Sequence, residues 1–149
     1  MENNIYYTCQ ELINRNVSTQ FLNWNISKVG IFYSCSLIEG RPFGKNKRVI
    51  ISEDSFKLLI AFAHKVKDSV ESEPEYLTYE DVLFLYPQTT AFHWTPTVIG
   101  TLCHSTLLCG KRSRKEDCNL VSIPSVENLI AFTAQRLRKF INMPIKPIR

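Results

Sequence analysis

At 149 residues, 44% of them hydrophobic, the chain has the size of one ordinary domain and can furnish a sizeable core. Its net charge of +4 tilts toward an anionic partner without requiring one, and no apolar run approaches the roughly 20 residues that span a bilayer. The opening Met1-Glu2-Asn3-Asn4 lacks the basic and apolar regions of a secretory leader, so the expectation is an intracellular protein, cytoplasmic or nuclear, with no membrane partner.

In chain order, the first signal is a short helix. Thr8-Cys9-Gln10-Glu11 sets a capping threonine three residues before an acid, and the apolar pair Leu12-Ile13 follows. Asn14 to Ser18 breaks that helix, and Gln20 to Asn25, carrying Trp24, reads as extended. Val29 to Ile38, rich in β-branched, aromatic and small residues, reads as a longer strand, which Gly40 ends. A basic loop follows, with Arg41, Lys45, Lys47 and Arg48 around Gly40-Arg41-Pro42-Phe43-Gly44. Arg48 to Ile51 is expected to be another strand. Ser52 then caps a long helix in which Phe56, Leu59, Ile60, Ala63 and Val70 recur at helical spacing.

The remainder of the chain returns to this order in one register. Shifted by 70 positions without a gap, Tyr6 meets Tyr76, Trp24 meets Trp94, Gly40 meets Gly110 and Ser52 meets Ser122. Leu59-Ile60-Ala61-Phe62 returns as Leu129-Ile130-Ala131-Phe132. The chain therefore reads as a tandem duplication, residues 1–70 and 71–140, with an extended tail over 141–149. A linker is expected over 69–77, an extended segment at 90–95, a longer strand at 99–108 and another strand at 119–121. The second basic loop carries Lys111, Arg112, Arg114 and Lys115. Each half alone is too small to bury much surface, so the two should share one core about a pseudo-two-fold axis. The fold class expected is α+β, each repeat being a short helix, about three strands and a long helix, with mostly antiparallel sheets. The two Leu-Ile-Ala-Phe blocks suit a place where the long helices meet, alanine permitting close approach, although helix-to-sheet packing suits them equally.

Little here points to catalysis or metal. The five cysteines are odd in number and none aligns with another between the halves, so reduced thiols are expected. Cys103-His104, Cys109 and Cys118 lack the close ligand pairs of a zinc site, and neighbours on a strand would face opposite ways. No phosphate loop, nucleophile elbow or paired carboxylates occur, so no cofactor, metal or catalytic residue is assigned and the chain is not expected to be an enzyme.

The basic loops carry the functional expectation. Lysines and arginines neutralise phosphates with salt-sensitive, sequence-tolerant affinity. Phe32 or Tyr33, on the expected strand beside the first loop, is expected to stack on exposed bases. Strand Val29 to Leu37, basic turn Arg41 to Arg48, strand Val49 to Ile51 and helix Ser52 to Asp68 resemble the unit of the Whirly and transcriptional positive-cofactor single-strand DNA binders. The resemblance covers about 40 residues per repeat. It implies two such units packed helix to helix, with single-stranded nucleic acid across the sheets and basic turns. The helix before each tryptophan segment departs from that pattern, and Asp117 stands where Lys47 has its counterpart. The partner expected is single-stranded DNA or RNA. The rival reading is a protein-interaction adaptor of viral or plasmid origin, and a homo-oligomer stays open under either.

Overall fold

A computed structural model describes residues 5–46, 48–68, 75–113 and 118–141. The class is α+β. Strand β1 (Tyr6–Thr8) runs into helix α1 (Cys9–Arg15), and a 3-10 turn over Val17–Gln20 leads to helix α2 (Ile26–Ser34). The hairpin of β2 (Gly40–Phe43) and β3 (Arg48–Ser52) then feeds helix α3 (Glu53–Asp68). The order recurs as β4 (Tyr76–Thr78), α4 (Tyr79–Leu85), a one-turn α5 (Gln88–Ala91), α6 (Pro96–His104), β5 (Gly110–Ser113), β6 (Cys118–Ser122) and α7 (Ile123–Ile141). Apart from the short turn at α5, each element starts 70 positions after its counterpart.

Both sheets are small and antiparallel. The last strand of each hairpin is central, giving orders β1-β3-β2 and β4-β6-β5. Tyr6 lies opposite Ser52 on one side of β3, and Gly40 lies opposite Ile51 on the other. Each edge strand thus depends on a partner some 40 residues away in sequence or across a turn, which is why three-residue β1 and β4 carry no local signal. β4 also begins inside the expected linker; residues 69–74 and the tail from 142 lie outside the described residues.

Caps start the helices. Thr8 and Glu11 exchange both bonds of a capping box, 3.2 Å from the Glu11 amide to Thr8 Oγ1 and 2.9 Å from the Thr8 amide to Glu11 Oε1. Ser52 Oγ accepts from the Ser55 amide and Ser122 Oγ from the Ser125 amide, both at 3.3 Å.

Two expectations are corrected. Gln20–Asn25 and Thr90–Thr95 are turn and helical turn, with Asn23 and His93 in the left-handed region at φ 61° and 63°. Val29–Ile38 and Ile99–Leu108 are not strands; α2 and α6 occupy most of them. Asn25 Oδ1 accepts from the Lys28 amide at 2.8 Å, Thr95 Oγ1 from the Val98 amide at 3.2 Å, and Pro96 sits in the first turn of α6. Val29 and Phe32 face the core one helical turn apart, and Cys35 follows them. Of the segments that carry the Whirly resemblance, Val29–Leu37 is largely helical, Arg41–Phe43 belongs to strand β2, and Val49–Ile51 and Ser52–Asp68 fall in β3 and α3.

One core joins the halves. Leu12, Phe32, Leu37, Ile51, Phe56 and Leu59 are fully buried with Val82, Ile99, Leu102, Leu107, Val121 and Leu129. The two phenylalanines of the repeated block, Phe62 and Phe132, meet with ring centroids 4.8 Å apart. Ala61 and Ala131 are exposed, so the aromatic rings make this contact rather than the alanines. Trp24 Nε1 donates 2.9 Å to the carbonyl of Ser105, and Arg136 Nε donates 2.7 Å to the carbonyl of Ser36.

Candidate functional site

The first hairpin gathers the cations. β2 and β3 pair Arg41 with Ile50, Pro42 with Val49 and Phe43 with Arg48, and Gly44 at φ 82° makes the turn that a side chain would strain. Arg41, Lys45 and Arg48 are exposed; Lys47 lies outside the described residues. Arg41 stacks its guanidinium 4.5 Å from the Tyr6 ring centroid, which fixes one cation against the sheet while leaving its charge accessible. In the second hairpin Lys111 is exposed, with its ammonium 4.2 Å from the Tyr76 centroid. Arg112 lies opposite Asn119 in the β5–β6 pairing, and Arg114 and Lys115 lie outside the described residues.

The stacking residues are placed differently from expectation. Phe32 is fully buried, its ring 4.8 Å from that of Trp24, and cannot meet a base. On a helix rather than the expected strand, Phe32 joins Val29 on the inner face. Tyr33 is half-buried and borders a cleft between the two halves, together with Arg41. Both tryptophans are buried. The exposed aromatic of the hairpin is Phe43, 63% accessible and directly opposite Arg48. Its signal was present in the sequence: an aromatic residue flanked by Pro42 and Gly44 in a basic turn has no core to enter. The counterpart position is Ser113, so this feature belongs to one hairpin alone.

Two thiols, Cys35 and Cys103, are poor candidates for nucleophilic chemistry. Burial pushes the Cys35 thiol up to about 12 and that of Cys103 up to about 11, far from thiolate at neutral pH. Among the described residues no group of three His, Cys, Asp or Glu side chains could hold a metal ion, and no helix is long and apolar enough to cross a membrane. Glu53 is paired with a cation: Arg15 Nε lies 2.9 Å from its Oε2, and this bond keeps the carboxyl below its ordinary range. That pair joins α1 to the start of α3.

Set beside known proteins, the chain matches no family model, no curated protein and no solved structure.

Proposed function

We propose that the chain binds nucleic acid with little sequence preference, holding phosphates with its two basic hairpins, and that duplex DNA is the form its architecture suits best. The observation that carries this reading is the order helix, turn, helix, basic hairpin, present at both ends of the chain. In helix-turn-helix proteins the second helix enters the major groove by its N-terminal residues while neighbouring elements hold the backbone. Here α2 opens with exposed Asn25, Ile26 and Ser27, and α6 with exposed Thr95, Pro96 and Thr97. These are small and polar or apolar, able to touch base edges but without the arginines of strong base readout. The cations sit on the hairpins instead, which favours backbone contact. The segment between α1 and α2, residues 16–25, is longer than the usual three- or four-residue turn. On this reading the chain is a duplication that presents two such units from one molecule, where a dimer would present one from each subunit.

Phe43 favours a second reading. An exposed ring beside Arg41, Lys45 and Arg48 is a stacking surface for an unpaired base, so single-stranded DNA or RNA remains the rival ligand.

Fluorescence anisotropy with a labelled duplex and its single strand, at low and moderate salt, separates the two. The expected result is tighter duplex binding that weakens with salt. The double variant Lys45→Glu/Arg48→Glu should lose affinity for both forms and lower the salt slope by about 1 per phosphate contact removed. Phe43→Ala should matter for the single strand alone. Absence of binding to either form at low salt would refute the nucleic-acid reading and leave a protein partner as the alternative.

A further inference from the structure

The cleft between the two halves holds a cluster of polar side chains, of which only Arg41 belongs also to the basic hairpins. It is an open groove of about 630 Å³, bordered by Tyr6, Tyr33, Glu39 and Arg41 from the first half and His93 and Arg136 from the second. Pockets for small organic ligands commonly fall in this range and lie at such seams. Tyr6 is locked in place: its hydroxyl donates 2.8 Å to Glu39 Oε2, and Arg41 covers its ring. Arg136 is half-buried and anchored by its Nε to the Ser36 carbonyl, and no ion pair among the described residues includes it. A guanidinium held this way has further N–H donors at the cleft, with the Glu39 carboxylate as a nearby opposite charge.

The two halves differ at this place in a telling way. Seventy positions away, Tyr33, Glu39, His93 and Arg136 are matched by Cys103, Cys109, Asn23 and Val66. A seam that only held the halves together would need no such set on one side. The side chains instead supply three kinds of recognition. Arg136 and Arg41 suit a phosphate, the Tyr33 and His93 rings suit a planar ring, and the Glu39 carboxylate suits the exocyclic amino group of a base.

We propose that this cleft binds one nucleotide, with its phosphate at Arg136 and Arg41, its base against Tyr33 and His93, and its amino group at Glu39. The nucleotide is either free or an unpaired unit of a strand; the recognition chemistry is the same. This site goes beyond the hairpin surface and shares only Arg41 with it.

Calorimetric titration of the full chain with guanosine monophosphate, uridine monophosphate and inorganic phosphate tests the proposal. Saturable guanosine monophosphate binding is expected with a dissociation constant of about 1 mM or tighter. Arg136→Lys, which keeps an anchor to Ser36 but loses the planar fork, should weaken it about tenfold. Glu39→Gln should abolish any preference over uridine monophosphate while leaving the melting temperature in place, an effect a purely structural glutamate would not give. His93→Asn, which restores the residue found at the matching position and tolerates the left-handed backbone, should weaken base binding without harming the fold. Equal affinity for inorganic phosphate and the nucleotide, or no saturation by about 10 mM, would overturn the site. The Lys45→Glu/Arg48→Glu variant should bind the mononucleotide unchanged, so loss of the hairpin function and loss of this site read out separately. An unpaired oligonucleotide that displaces the mononucleotide identifies a strand as the source; one that does not identifies the free nucleotide.

Discussion

Phe32 shows how one side chain changes role with the element that carries it. The run Val29-Gly30-Ile31-Phe32-Tyr33 has the residues of a strand, but β-propensity describes fit to a half-buried sheet rather than a backbone preference. The cap at Asn25 and the spacing of Val29, Phe32 and Cys35 were the better signals, and both can be read in the sequence once local capping is weighed above composition. The consequence is measurable. Phe32→Ala should cost about 3–5 kcal/mol of folding stability in chemical denaturation, as large aromatic truncations in cores do. Nucleic-acid affinity measured well below the melting point should be unchanged, whereas a stacking Phe32 would give the reverse pair of results. Phe43, in contrast, is left exposed at the end of the basic hairpin strand among the described residues.

Among the elements, the long helices were the most legible, since serine caps and an apolar face repeating at helical spacing are local properties. The hairpins were legible in part. Their glycines and cations mark the turns, but β1 and β4 exist only because the central strands have a second edge to pair. Gly40 marks where β2 crosses close to the end of α2. A Cβ there would lie 2.9 Å from the Ile50 carbonyl oxygen, 2.9 Å from Tyr33 Cδ1 and 2.7 Å from Ile51 Cδ1. Gly110 meets the same constraint, 2.8 Å from the Leu120 carbonyl oxygen. Gly40→Ala should therefore lower stability by about 1–3 kcal/mol through forced shifts of sheet and helix. It should also disturb Tyr33 and Arg41, visible as changed chemical shifts along the cleft. Gly30→Ala, where a Cβ meets nothing within 4 Å, is the control and should be neutral or slightly stabilising.

At the scale of the molecule, the seam distinguishes two residues that the sequence treats alike. Trp24 and Trp94 occupy matching positions and are both buried, yet Trp24 Nε1 bonds the Ser105 carbonyl of the other half while Trp94 Nε1 has no partner among the described residues. Trp24→Phe leaves that buried carbonyl without its donor and should destabilise the fold by about 1–3 kcal/mol beyond the packing loss that Trp94→Phe shares. Equal melting temperatures for the two variants would show that the bond contributes nothing. The sequence by itself determined the α+β class, the long helices with their caps and the cationic character of the two turns, because composition, capping and helical periodicity act within a few residues of chain. The tertiary structure alone decided that three-residue strands exist at the sheet edges and that Tyr33, Glu39, His93 and Arg136 share one cleft. Those outcomes depend on contacts between residues as many as 100 positions apart, and no local pattern carries them.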